Sequence, residues 1–232
     1  MKTFFIETKV NFKVILPEEV IKKLKEELSK LNAYKVGLFT TIQFFDNLEH
    51  LKKQLDDKEI TALTFQGKHS TYEGQVLGCS TYHFDAPAFL YVGDGLFHPH
   101  ALAMKNIDKP IYTYDPFTKK FTQLNIDEIK KTLKRKKGAI SAFHMKENIG
   151  IICSTKPGQN NIRKALKLKS QLEEKGKKAY VFLENTIDYN QLANFPFIEV
   201  WINTACPRIM YDDYKKFNKP VLNMADISEF EF

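Results

Sequence analysis

Cysteine is scarce in this chain of 232 residues: there are three, Cys79, Cys153 and Cys206, and they lie far apart. An odd number of widely separated cysteines is not a disulfide framework. No CxxC spacing is present, which excludes the compact zinc and ferredoxin-type patterns. If these thiols bind a metal, they must therefore come together from different parts of the fold.

Arginine is also rare, with only Arg135, Arg163 and Arg208 in a chain whose formal net charge is +7. Arginine is the side chain that recognises guanine bases and binds phosphate groups through two hydrogen bonds. A surface rich in lysine but poor in arginine therefore indicates a solvated face, and gives no sign of direct nucleic-acid recognition. No apolar run approaches the ~20 residues that cross a bilayer. The first residues acquire charge too early for a signal peptide, so we expect a cytoplasmic protein with no membrane partner.

What the chain does contain is an alternation of short β-branched or aromatic runs with helical stretches rich in Lys and Glu. The predicted strands cover residues 36–40, 60–65, 88–92, 111–114, 149–153, 179–183, 198–202 and 220–222. One predicted helix begins at Pro17, and its apolar residues fall on one face: Val20, Ile21, Leu24, Leu28 and Leu31. Asp46 is expected to cap the next helix. The alternation predicts an α/β fold of two similar small domains, residues 1–125 and 126–232, each a parallel sheet flanked by helices. The functional loops of such sheets lie at the carboxyl ends of the strands.

Two of the three cysteines lie in loops of the predicted fold. Cys79 follows Gly78, whose missing side chain lets the backbone approach a neighbour closely, in a loop just before a strand. Cys206 follows a strand's carboxyl end and precedes Pro207, and Arg208 could lower its thiol pKa or hold an anion. Each could instead be an ordinary buried thiol. The matching positions in the two domains favour metal ligands, whereas the mid-strand position of Cys153 favours the core.

Two loops could bind a polar ligand. Gly93-Asp94-Gly95 lies between a strand and a helix start, where helix N–H groups could bind a carboxylate or phosphate; the alternative is a simple tight turn. Ser154-Thr155-Lys156-Pro157-Gly158-Gln159 occupies the same place in the second half. It has the character of a phosphate loop without the GxxxxGK spacing. These two segments are predicted to be counterparts facing one site.

Six motifs in this order resemble the diphthamide synthase family, over nearly the whole chain. They are Thr40-Thr41-Ile42-Gln43-Phe44, Leu77-Gly78-Cys79-Ser80, Gly93-Asp94-Gly95-Leu96-Phe97-His98, Tyr114-Asp115-Pro116, the loop from Ser154 to Gln159, and Ala205-Cys206-Pro207-Arg208. The resemblance implies similar α/β domains around a central 4Fe–4S cluster, with one cysteine from each of three domains. Cys79 and Cys206 match the ligands of the second and third domains.

The resemblance also implies an activity. The cluster reductively cleaves S-adenosylmethionine, and the 3-amino-3-carboxypropyl radical adds to a histidine of translation elongation factor 2, the protein substrate. An electron donor and a dimeric assembly are implied as well. The loops Gly93 to Gly95 and Ser154 to Gln159 (Ser154, Thr155, Lys156, Gly158 and Gln159), together with Arg208, are the candidate cofactor-binding residues. No catalytic side chain is assigned.

The family's first domain, with its cysteine, has no counterpart in this sequence. Three explanations stay open: a split gene whose separate product supplies that domain, a shortened form of a longer protein, or a degenerate paralogue. The first is favoured because both remaining ligands and both loops persist. If a separate chain docks here, Phe4, Phe5, Ile6 and Phe12 should be poorly buried in this chain alone. The alternatives from other classes are a non-catalytic paralogue or scaffold subunit without a cluster, and a nucleotide-binding α/β protein.

Overall fold

The computed structural model describes residues 4, 6–67, 69–79 and 82–227. It divides into two compact units, Met1–Ile129 and Lys130–Phe232, where the sequence analysis placed the boundary between residues 125 and 126. Each unit contains one sheet with its own helices. The α/β architecture predicted from the alternation of strands and helices is confirmed.

The sheet of unit 1 has the strand order β2-β1-β3-β4-β5. Its strands are β1 Lys35–Thr40, β2 Thr61–Leu63, β3 Phe89–Val92, β4 Ile111–Asp115 and β5 Lys120–Gln123. The first four are parallel, but β5 runs antiparallel to β4 and pairs Tyr112 with Gln123. The prediction of a purely parallel sheet is wrong at this edge. Only four residues join β4 to β5, and so short a connection allows an antiparallel hairpin but no crossover.

The helices of unit 1 are α1 Glu18–Lys30, α2 Leu48–Asp56 and α3 Phe97–Ala103. Helix α1 buries the face predicted for it, except that Leu31 lies past the last helical residue and is 42% exposed. The predicted cap at Asp46 is wrong, because a 3-10 turn over Ile42–Asn47 makes Asn47 the N-cap of α2. The Asp46 carboxylate instead accepts a hydrogen bond from Lys9 Nζ at 2.7 Å.

The sheet of unit 2 is parallel throughout, with the order β7-β6-β8-β9. Its strands are β6 Asn148–Ser154, β7 Lys178–Glu184, β8 Val200–Asn203 and β9 Val221–Asn223. The helices are α4 Asp127–Met145, which begins in unit 1, and α5 Ile162–Glu174, α6 Tyr189–Leu192, α7 Arg208–Asp212 and α8 Met224–Ile227. Gly150 in β6 lies so close to Trp201 in β8 that an added Cβ would be 2.3 Å from the Trp201 ring. The lack of a side chain at position 150 therefore makes room for the indole next to the neighbouring central strand.

The segment before α1 carries exposed apolar side chains, as predicted. Phe4 is 84% exposed, Ile6 87% and Phe12 42%. Phe5 lies outside the described residues. No helix among those residues has the length and apolar character needed to cross a membrane.

Candidate functional site

The Cys79 loop is attached to the carboxyl edge of the unit 1 sheet. Thr40, the last residue of β1, donates its N–H to Gly74 O at 2.8 Å and accepts the N–H of Val76 at 2.9 Å. The Thr40 hydroxyl donates to Val92 O, at the end of β3, at 2.7 Å. These bonds form an isolated parallel bridge between Thr40 and Gln75, which extends the sheet by one position. Cys79 therefore lies just beyond this bridge, at the edge where parallel sheets bind ligands.

Gly78 makes the close backbone approach that its sequence context predicted. A Cβ at this position would lie 2.0 Å from Phe97 Cε1, so no residue with a side chain fits there without movement. Phe97 is the first residue of α3, which follows β3. The group that requires a glycine at position 78 is thus the Phe97 ring of this same chain. The contact holds the Cys79 loop against the segment after β3.

Cys79 itself is exposed, and it interacts electrostatically with Tyr82. Burial raises the pKa of Tyr82, and the charge of a Cys79 thiolate raises it further. An exposed thiol at a sheet edge is accessible to a metal centre.

The Gly93-Asp94-Gly95 segment is the turn between β3 and α3. Tyr91 Oη donates to Asp94 O at 3.2 Å, and a Cβ at Gly93 would lie 2.5 Å from that hydroxyl oxygen. Burial, and next the charge of Asp94, raise the pKa of Tyr91 above its ordinary range, so the hydroxyl remains a donor. Gly95 has φ +64° and open space around it. Because Phe97 follows closely, unit 1 brings this turn and the Cys79 loop together.

Two buried asparagines anchor the Cys206 loop. Asn203 ends β8, and its Nδ2 donates to Cys206 O and to Asn223 Oδ1, each at 2.8 Å. Asn203 Oδ1 accepts the N–H of Ala205 at 3.0 Å. Asn223, which ends the neighbouring strand β9, donates from Nδ2 to Pro207 O at 3.0 Å. The backbone on both sides of the Cys206 thiol is thereby held by side chains.

The sequence motifs described above do not include these two asparagines. They are paired in register across β8 and β9, and both are almost fully buried. A usable signal existed, since an asparagine directly follows each of two predicted strands. Polar residues at such positions face the carboxyl edge of a parallel sheet.

The loop after β6 lies beside the loop that carries Cys206. Asn161 Nδ2 donates to Thr204 O at 2.7 Å, which links the two loops. Ser154 is buried, and its Oγ accepts the N–H of Lys156 at 3.1 Å. Thr155, Lys156 and Gly158 are exposed, with Gly158 at φ +78°. Unit 2 thus places the segment Ser154 to Gln159 at the same edge as Cys206.

Arg208 binds a carboxylate of its own helix, which its position next to Cys206 and Pro207 did not predict. It is only 4% exposed, and its guanidinium binds Asp212 through two nitrogens, Nε to Oδ2 at 3.0 Å and Nη2 to Oδ1 at 2.8 Å. This bidentate pair links two residues of α7 and stabilises that helix. The assignment of Arg208 to cofactor binding stays a prediction.

Cys153 lies in the core of unit 2, as predicted, and is 0% exposed in β6. Cys206 is partly exposed and Cys79 exposed. In the part of the chain that the structure describes, no three His, Cys, Asp or Glu side chains meet as metal ligands. The donor chemistry of Cys79 and Cys206 suits an iron–sulfur cluster, which thiolates bind, but two thiolates do not complete one.

Comparison with known proteins decides the family. A model of the family described as "Putative diphthamide synthesis protein" matches residues 1–229. The chain belongs to this family. Within it, the chain is 29% identical over 225 residues to the 2-(3-amino-3-carboxypropyl)histidine synthase of Pyrococcus horikoshii, a match that covers 92% of this chain and 64% of the relative. It is 34% identical over 190 residues to subunit 1 of the same synthase from Caenorhabditis elegans, covering 79% of this chain and 47% of the relative.

A solved structure of the diphthamide synthesis family supports the fold. The crystal structure of Dph2 from Pyrococcus horikoshii with a 4Fe-4S cluster matches with a TM-score of 0.75 and 28% sequence identity, over 95% of this chain and 63% of that chain. The chain therefore spans less than two thirds of the length of these relatives. The resemblance drawn from six sequence motifs is confirmed at the level of the family.

Proposed function

We propose that this chain contributes Cys79 and Cys206 to an iron–sulfur centre that serves the first step of diphthamide synthesis. The observation that carries the proposal is the placement of the three thiols. Each unit presents one cysteine on a loop at the carboxyl edge of its sheet, and the remaining cysteine is buried inside β6. Support comes from the relatives that are named histidine synthases and from the related Dph2 structure, which contains a 4Fe-4S cluster.

The two thiolates of Cys79 and Cys206 do not complete the proposed centre. Two thiolates alone hold such a cluster poorly, so the proposal includes a further ligand from another polypeptide. We propose that a separate chain supplies it, in a domain that completes the enzyme as part of a dimeric assembly. The exposed side chains of Phe4, Ile6 and Phe12 support a docking surface in the segment that precedes α1 in sequence.

The proposed reaction transfers the 3-amino-3-carboxypropyl group of S-adenosylmethionine to a histidine of translation elongation factor 2 by radical chemistry. When bound, the cluster supplies the electron for reductive cleavage of the sulfonium bond, after reduction by an electron donor. In this chain, the turn at Gly93, Asp94 and Gly95 and the loop from Ser154 to Gln159 are proposed to bind the polar ends of S-adenosylmethionine. The position of both segments at strand ends and the exposure of Asp94, Gly95 and Lys156 support that role.

Iron and sulfide analysis of three variants tests the proposal. The chain, reconstituted anaerobically with iron and sulfide, should hold an air-labile, substoichiometric centre that Cys79→Ala and Cys206→Ala each abolish. Cys153→Ala is the matched control and should retain the iron, because Cys153 is in the core. Loss of iron in Cys153→Ala alone, or retention in both other variants, would overturn the assignment.

A second candidate function is a non-catalytic subunit on the same fold that never binds a cluster. The observation in its favour is the lack of three converging ligands among the described residues. Visible spectroscopy separates the two candidates. A brown protein with charge-transfer absorption after anaerobic reconstitution supports the synthase, and a colourless protein that retains no iron supports the scaffold.

A further inference from the structure

A buried ion pair in unit 2 has no part in the function proposed above. Lys136 Nζ, on α4, contacts Asp226 Oδ1, on α8. The two side chains are 14% and 7% exposed, in contrast to most other ion pairs of the described chain, which lie at the surface. A buried pair costs about as much in desolvation as it gains in attraction, so net stability is a poor explanation for it.

The pair connects to the Cys206 loop through a continuous series of hydrogen bonds. Asp226 Oδ2 accepts the N–H of Asn223, at the end of β9, at 2.9 Å. The Asn223 side chain then binds both Pro207 O and the amide of Asn203, and Asn203 in turn binds Cys206 O. Every side chain between the ion pair and the loop is at most 5% exposed. Water therefore cannot easily replace any member of the series.

The arrangement also explains why the loop needs outside support. The sheet pairing of β8 with β9 ends at the pair Asn203 and Asn223, so the ladder of backbone hydrogen bonds does not reach Cys206. Pro207 has no N–H to contribute. The Cys206 carbonyl accepts the Asn203 amide as well as the N–H of Ile209, and the Pro207 carbonyl accepts the Asn223 amide. The backbone N–H of Asn223 is in turn bound by Asp226.

We propose that Lys136 and Asp226 are positioning residues for Cys206. The ion pair holds the carboxylate of Asp226 against the end of β9, and the two asparagines transmit that position to the backbone around the thiol. This inference gives the pair a role in the proposed cluster site, and so rests on the proposed function. Its test uses the chain without any cluster, so the two can fail separately.

The test is thiol alkylation of the full chain under native conditions, with each cysteine quantified by peptide mass spectrometry. The three cysteines report on different events in one molecule. Cys206 reports on its own loop, Cys79 on unit 1, and the buried Cys153 on opening of the unit 2 core. In Asp226→Ala, the Cys206 rate should rise about tenfold, which corresponds to roughly 1.4 kcal/mol of easier local opening. Cys79 and Cys153 should keep their wild-type rates.

Matched variants separate positioning from general destabilisation. Glu199→Gln breaks the Lys146–Glu199 ion pair of the same unit, in which Glu199 also accepts the N–H of Asn148 at the start of β6. It should leave the Cys206 rate unchanged. Lys136→Met should raise the rate, and Lys136→Arg, which keeps the cation, should restore it. If Asp226→Ala does not fold, Asp226→Asn carries the same test with the side-chain volume preserved.

Three outcomes would overturn the inference: an unchanged Cys206 rate in Asp226→Ala and Asp226→Asn, a Cys153 rate that rises in step with that of Cys206, or an equal rise in Glu199→Gln. If the alkylation result is as expected but Cys206→Ala retains iron, the proposed function fails and the positioning role stands.

Discussion

The loops that carry Cys79 and Cys206 each lie at the carboxyl edge of their own sheet, but different contacts hold them there. In unit 1, the loop is held by a backbone bridge to Thr40 and by the shape fit of Gly78 against Phe97. In unit 2, the loop is short and is held by buried amides, Asn203 and Asn223. One thiol is therefore placed by backbone hydrogen bonds together with side-chain packing, and the other by buried side-chain amides. Similar sheets can thus present a cysteine at the same edge through different supporting contacts.

The contrast predicts that unit 2 is the more sensitive to loss of a polar group. Asn203→Leu removes the hydrogen-bond partner of the Ala205 N–H and of Asn223 Oδ1, and each buried group left without a partner costs about 1–3 kcal/mol. Cys206 O loses one bond but still accepts the N–H of Ile209. We expect a loss of at least ~2 kcal/mol in the free energy of unfolding, measured by urea denaturation. The exposed Asn194→Ala serves as control and should have little effect. A loss no larger than that of the control would show that the amides do not support unit 2.

Unit 1 should instead be sensitive to added volume. Gly78→Ala places a Cβ 2.0 Å from the Phe97 ring, and overpacking of this kind costs roughly 1–3 kcal/mol. Denaturant unfolding should show the loss, and Phe97→Ala in the same chain should make the cost of Gly78→Ala smaller. The control is Gly138→Ala on α4, where a Cβ meets nothing within 4 Å and alanine is the better helix former. Additive effects of Gly78→Ala and Phe97→Ala would refute the steric coupling.

The smallest expected effect is a loss of stability at acidic pH that depends on Glu199. Backbone hydrogen bonding from Asn148, followed by the hydrogen bond with Lys146, lowers the pKa of Glu199 from 4.5 to about 2. A lowered folded-state pKa contributes stability above the unfolded value, and this contribution is lost as pH falls from about 4.5 toward 2. Urea midpoints of the wild type should therefore fall more steeply over this window than those of Glu199→Gln. Parallel pH profiles for the two chains would contradict this interpretation.

Most of the secondary structure could be predicted from the sequence because it depends on local patterns. Apolar spacing predicted α1 through Leu28, and the apolar run around Cys153 predicted both β6 and the burial of that thiol. The failures have local causes as well. Asp46 resembles a cap, but the 3-10 turn before α2 moves the helix start past it. Strand β5 is short and half-exposed, so it lacks the apolar signal of a buried strand.

Sequence patterns were enough to place Cys79 and Cys206 in loops and Cys153 in a core, because strand alternation and parallel connections follow from hydrophobic periodicity. The groups that surround those loops became known only from the three-dimensional structure. Gly78 meets Phe97, Arg208 binds Asp212, and Lys136 of α4 pairs with Asp226 of α8. Such partners depend on three-dimensional contact, and no short-range pattern records which buried polar group will satisfy which other.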